Sequence, residues 1–181
     1  MKAKAGTIAV IVFGVLVSVA AANYDKLLPH SWKTYSPPNG AFSIDLPGTP
    51  DVETKRAPAE DGSMVTINLV SVQPTNHLAY TCAYTDREGT SGKSPKEILE
   101  LARDGSLTKL QGSLISQKQI TSQGYPGLEW QARAHGNSLV EARFFAVGNR
   151  LYMIMAVATD EHDREPKTTQ RVFDSFRILK Q

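Results

Sequence analysis

The sequence predicts an α+β domain, an antiparallel β-sheet covered by helices, following an N-terminal hydrophobic segment. Three observations carry that expectation. Runs in which apolar and polar residues alternate, broken by Gly, Pro and Asn, recur from Phe42 to Ala158 and have the period of half-buried strands. Among them, Ser94-Pro95-Lys96-Glu97 opens a stretch of helical period. A last stripe, Val172, Phe173 and Phe176, closes the chain with helical spacing. Strands, a helix, more strands and a closing helix is the order of a sheet with helices set against it.

The chain begins Met1-Lys2-Ala3-Lys4 and then runs without a charge from Gly6 to Ala22. Two lysines, an apolar stretch and small residues predict an export signal over residues 1–22, with cuts after Ala20 or Ala22 satisfying the small-x-small rule. The alternative is an uncleaved membrane anchor, at the lower edge of what spans a ~30 Å hydrocarbon core. In either case Lys2 and Lys4 hold the amino terminus in the cytoplasm. Residues 23–34 then serve as a tether, and 35–181 form one domain with enough length for a proper core.

The first strand of the domain is expected at Phe42, Ile44 and Leu46, stopped by Pro47-Gly48-Thr49-Pro50. Val52 to Ala57 gives another short strand. Met64 to Val72 places Val65, Ile67, Leu69 and Ser71 on one face, and His77 to Thr85 places Leu78, Tyr80, Cys82 and Tyr84 on one side, so the two read as a hairpin. Ser94 and Glu97 form a capping box with Pro95 in the first helical position, and Ile98, Leu99, Leu101, Ala102 and Leu110 give the apolar stripe that follows. Gly105 weakens that helix near its middle. Strands are expected again at Ser113–Thr121, Leu128–Ala134, Ser138–Val147 and Leu151–Ala158. Gly124-Tyr125-Pro126-Gly127 and His135-Gly136-Asn137 make turns, and Gly148-Asn149 makes a two-residue hairpin. The last two strands are apolar at nearly every position from Phe144 onward, as for central strands covered on both faces. Pro166 to Phe176 forms the closing helix.

The whole chain has 20 Lys+Arg against 18 Asp+Glu. Lys2 and Lys4 lie in the leader, so the remainder is formally neutral and gives no reason to expect a nucleic acid or an anionic surface as partner. One cysteine, Cys82, excludes an internal disulfide and a thiolate zinc cage.

Few residues have the types and spacing that chemistry needs. Cys82 becomes a nucleophile only if a histidine lowers its pKa. His77 alternates onto the opposite face, His30 lies in the tether, and His135 or His162 would have to arrive by tertiary packing; Cys82 reads as a small core residue. Asp160-Glu161-His162-Asp163 is the densest group of possible metal ligands, but four consecutive residues cannot all converge on one ion, and capping explains the acids better. Asp45, Glu129 and Glu141 are the carboxylates a glycoside-cleaving pair would draw on, with no spacing argument that joins them. Glu129, Arg133, Glu141 and Arg143 alternate on two neighbouring strands and read as cross-strand ion pairs. Tyr125, Trp130 and Trp32 could line a pocket, and more often pack a core or an edge. Gly112 and Gly124 stand alone, with no phosphate loop or nucleophile elbow. No catalytic, cofactor-binding or metal-binding residue is assigned.

The segment Tyr35-Ser36-Pro37-Pro38-Asn39-Gly40-Ala41-Phe42-Ser43-Ile44-Asp45-Leu46-Pro47-Gly48 resembles the opening strands of bacterial exported proteins of uncharacterised function with a PsbP-like fold, an α/β/α sandwich. Arg143-Phe144-Phe145, Asn149-Arg150-Leu151-Tyr152 and Phe173-Asp174-Ser175-Phe176 resemble its closing pieces. The likeness runs from about Tyr35 to Leu179 and rests on structural motifs. Relatives with that fold include an extrinsic photosystem subunit and a nuclear-import factor that binds a small GTPase, so the resemblance implies a binding or accessory role. The expectation is therefore an exported or membrane-tethered, non-enzymatic domain of the cell envelope that binds another envelope protein or a small ligand. The competing expectation is an envelope hydrolase with its residues dispersed in sequence.

Overall fold

The computed structural model describes residues 31–58, 64–87 and 92–179. The segment 6–22, with its export or anchor reading, lies outside the described residues, as does most of the tether. Among the described residues no helix is long and apolar enough to cross a membrane.

Among the described residues, ten strands and two α-helices follow one another as β1 (Trp32–Tyr35), β2 (Phe42–Pro47), β3 (Asp51–Pro58), β4 (Met64–Thr75), β5 (Leu78–Asp86), α1 (Pro95–Leu110), β6 (Ser113–Ser122), β7 (Tyr125–Arg133), β8 (Leu139–Val147), β9 (Arg150–Ala158), α2 (Pro166–Ser175) and β10 (Arg177–Ile178). Seven of the strands form an antiparallel sheet in the order β3-β4-β5-β9-β8-β7-β6. β1, β2 and β10 form a second, three-stranded sheet. The α+β expectation holds, with two adjustments. Residues 32–34, expected in the tether, belong to β1 and pair with β2. Phe42–Pro47 pairs with β1 and β10, outside the larger sheet.

Strand alternation divides the core in two. On one face, Val70 and Val72 of β4, Leu78, Tyr80, Cys82 and Tyr84 of β5, and Tyr152, Ile154 and Ala156 of β9 pack under Phe42, Ile44 and Leu46 of β2 and under Val172 and Phe173 of α2. Phe176, just past α2, stacks on Phe145 at 5.6 Å and lies 5.6 Å from Phe42 and 5.5 Å from Tyr152. Edge and offset contacts of this kind add to what burial alone contributes. On the other face, Leu128 and Trp130 of β7, Phe144 of β8, and Met153 and Met155 of β9 pack under Leu99 and Ala102 of α1. The result is a helix on one side of the sheet, and a helix with a small sheet on the other. β9 occupies the middle of the seven strands and is buried on both faces, as its unbroken apolar run requires.

Local chemistry sets the boundaries. The Ser94 hydroxyl accepts from the Glu97 amide at 3.3 Å while the Glu97 carboxylate accepts from the Ser94 amide at 2.8 Å, closing the expected box. Helix α1 runs unbroken through Gly105, which is buried. The β6–β7 turn is Gln123 and Gly124, both at positive φ, whereas Tyr125, Pro126 and Gly127, expected in the turn, already belong to β7. Pro126 is tolerated inside β7 because pairing with β8 begins only at Gly127. A Cβ on Gly127 would lie 2.6 Å from the Phe145 ring and 2.8 Å from the Phe144 carbonyl, so this position needs a glycine. Tyr152 donates to the Gly40 carbonyl at 2.9 Å, tying the turn before β2 to the larger sheet.

Candidate functional site

The largest group of interacting charged side chains among the described residues lies on the β7–β8 surface beside α2. Glu129 of β7 and Arg143 of β8 are opposite one another in the ladder, and Arg143 Nε donates to Glu129 at 2.6 Å. Lys118 of β6, opposite Glu129 on its other side, reaches it at 2.7 Å. Arg143 also donates to Asp174 of α2 at 2.8 Å and lies against the Phe173 ring. One step along the strands, Gln131 donates to Glu141 at 3.2 Å, and Arg164, from the segment before α2, donates to Glu141 at 3.1 Å and to Glu161 at 2.6 Å. Half-buried arginines and glutamates thus form the middle, with Lys118, Glu161 and Asp174 exposed around them.

Pairing lowers the pKa of two of these carboxyls, Glu129 and Asp174. Burial alone would raise the Glu129 carboxyl pKa, but the hydrogen bonds from Lys118 and Arg143 outweigh it and hold the carboxyl below the usual glutamate range. Hydrogen bonds from Arg143 and Gln170 hold Asp174 down likewise. Both serve as ionised acceptors for the surrounding N–H donors. Three cations facing four carboxylates make a fixed, nearly balanced pattern suited to orienting a polar partner.

The sequence anticipates half of this ladder. The Glu129–Arg143 pair forms across the strands as expected. Arg133 instead donates to the Asn137 side chain at 2.7 Å, because it stands opposite Leu139 and not Glu141. Arg164 and Asp174 take part through tertiary packing, which no spacing rule could reveal. Asp45 is elsewhere, on β2, accepting from Thr34 at 2.6 Å.

The remaining candidates have structural duties. Cys82 is fully buried, and desolvation pushes its thiol far above the ordinary cysteine range, the opposite of what a nucleophile needs. His77 lies in the turn before β5, where it meets Thr159 at 3.3 Å, and Thr159 in turn bonds Asp163. Asp160 caps the 3-10 turn Glu161–Asp163, accepting from the His162 amide at 2.7 Å and the Asp163 amide at 3.3 Å, so the acidic run does cap, though it caps this turn and not α2. His135 lies in the turn after β7, and His30 lies outside the described residues. Trp130 is buried under α1 and Tyr125 is half-buried against the α2-side core. Trp32 stacks under Arg171 at 3.7 Å. Among the described residues no group of three His, Cys, Asp or Glu side chains is placed to hold a metal ion.

Two further arginines escape the sequence reading. Arg150 grips Asp86 through two bonds of 2.6 and 2.7 Å and the Asn39 carbonyl at 2.8 Å, securing the turn before β2. Arg87 is buried; its guanidinium donates to the Gly148 carbonyl at 2.8 Å and its backbone N–H to the Asn149 carbonyl at 2.8 Å, and desolvation lowers its pKa.

Set against solved structures, the chain matches the solution structure of cyanobacterial PsbP (CyanoP) from Synechocystis sp. PCC 6803 with a TM-score of 0.54 at 12% identity, over 88% of this chain and 99% of that one. The fold is PsbP-like. At that identity the likeness concerns architecture alone. A protein of unknown function, PA94 from Pseudomonas aeruginosa, matches more loosely, with a TM-score of 0.41 at 11% identity over 77% of this chain and 92% of that one. No family model and no curated protein matches the sequence.

Proposed function

We propose that this PsbP-like domain is an exported or membrane-tethered binding module of the cell envelope, without catalytic activity of its own. It recognises another envelope protein or a small polar ligand through the β7–β8 surface beside α2. The observation that carries this reading is the mutual pairing of Lys118, Glu129, Arg143, Asp174, Glu141 and Arg164. Charges already held in place by one another are preorganised for recognition, whereas general acid–base chemistry needs a group poised to exchange its proton. The placement at the envelope rests on Lys2, Lys4 and the uncharged run Gly6–Ala22.

Two measurements on the producing cell test it. The mass of the protein in separated membrane and soluble fractions is expected to show either loss of residues up to Ala20 or Ala22, or a full-length chain in the membrane. Full-length protein in the cytoplasm contradicts envelope placement. Capture with the full-length chain from envelope extracts is expected to return one partner reproducibly, with weaker recovery by Arg164→Glu. Turnover of a hydrolase substrate by the pure protein, with no partner recovered, would establish the competing hydrolase reading.

A further inference from the structure

The seven-stranded sheet ends in two edges of opposite character. β3, at one end, carries Asp51, Glu53, Lys55 and Arg56 among its eight residues and ends in Pro58. Charge and proline on an edge discourage the addition of another strand. β6, at the other end, reads SLISQKQITS, contains no proline and is exposed at eight of its ten positions. Its one charge, Lys118, is already occupied by Glu129 at 2.7 Å. Leu114 and Ile115 are exposed at its start, 40% and 53%. Among the described residues nothing pairs with its outer side, so a row of backbone N–H and C=O groups is offered to any strand that can use them.

A break in pairing between Leu114 and Ser116 marks a bulge and leaves Ser116–Ser122 as the regular stretch. We propose that this stretch joins two copies of the chain, β6 against β6, antiparallel about a two-fold axis at Gln119, so that two seven-stranded sheets become one. The occupant follows from charge and geometry. A head-to-tail arrangement would set β6 against the charged β3, whereas β6 against itself makes a closed, self-complementary contact. In an antiparallel pair, directly opposed residues share a face, so the axis must pass through a residue and not between two. An axis at Lys118 sets two lysines opposite one another, which is unfavourable. An axis at Gln117 brings the bulge into the pairing. At Gln119, Lys118 meets Ile120, Gln117 meets Thr121 and Ser116 meets Ser122, with no like charges opposed. The association rests on the β6 backbone and on no ligand of the β7–β8 surface, although Lys118 borders both.

The test places single cysteines in the full-length chain in a Cys82→Ala background, expressed in intact producing cells that are treated with a mild copper-phenanthroline oxidant and examined in both membrane and soluble fractions. Across the axis the two Gln119 Cα atoms would lie about 4.5–5.5 Å apart, within disulfide reach. Residues two positions along would lie about 13 Å from their counterparts. Gln119→Cys is therefore expected to give a disulfide-linked species of twice the chain mass, at least about tenfold above Thr121→Cys and the β3 control Val52→Cys. A second measurement is sedimentation of the detergent-solubilised full-length chain, where Gln119→Lys is expected to shift dimer to monomer while its circular dichroism stays unchanged. No linked species above the Val52→Cys control overturns the proposal. So does a linked species of another mass, which would assign the edge to a different protein, or an unchanged dimer in Gln119→Lys.

Discussion

Glu129→Gln tests the electrostatics of the β7–β8 surface with almost no change of shape. Wild-type Glu129 accepts from Arg143 at 2.6 Å and from Lys118 at 2.7 Å. The Arg143 and Glu129 side chains are 17% and 22% exposed, whereas Lys118 is 65% exposed. Exposed pairs contribute about 0.2–1 kcal/mol, and removal of one partner from a fully buried pair costs about 3–5 kcal/mol. The Arg143 bond lies between those limits and the Lys118 bond near the lower one. Asp174 remains at 2.8 Å to hold part of the Arg143 charge. The expected loss is about 2 kcal/mol at pH 7. Because the folded carboxyl pKa is depressed, its contribution is fully present above the unfolded value of about 4.3 and disappears as pH falls through the lower folded value. Urea unfolding of the full-length chain should therefore show wild type ahead by about 2 kcal/mol at pH 7, with the gap closing progressively in acid below pH ~4. A gap below about 0.5 kcal/mol at pH 7, the level of an ordinary surface change, or one that stays constant into acid, would refute the assignment.

Gly127→Ala should cost about 1–3 kcal/mol in the same assay, because its Cβ must displace Phe145 or part β7 from the Phe144 carbonyl; an unchanged midpoint would contradict the close approach. Phe176→Ala should cost about 3–5 kcal/mol in one cooperative transition, whereas a separate early transition would mean that α2 and the small sheet unfold on their own. Cys82 should resist an aromatic disulfide reagent in the native protein and react once urea unfolds it; rapid stoichiometric labelling of the folded chain would contradict its burial.

What the sequence shows of this fold is what acts locally. Ser94 and Glu97 report the start of α1 because a capping box needs only four residues. Gly148-Asn149 reports a hairpin because a two-residue turn is set by its own backbone, and Val147 and Arg150 indeed pair across it. The alternation of Leu78, Tyr80, Cys82 and Tyr84 reports one face of β5. Its other face is buried as well, with Ala83 in the core cluster that α1 helps to close, and a period-two pattern cannot announce cover from distant elements. The same limit hid the placement of β2, whose alternation suits either sheet. At the candidate site, Glu129 and Arg143 were legible as ladder partners, while Arg164 and Asp174 arrive with α2. Lys118 lay one strand away, its pairing set by the register of β6 on β7.

The most direct test of the binding reading is site-specific photocross-linking in the intact producing cell. A photoreactive residue at Gln131, between the two ion-paired groups, is compared with one at Lys109, exposed on α1 across the sheet. The β7–β8 surface as recognition face predicts a discrete adduct from Gln131, with none from Lys109 and a weaker one when Arg164→Glu is added. Equal adducts from both positions, or none from Gln131 in cells where the protein is abundant, would contradict it.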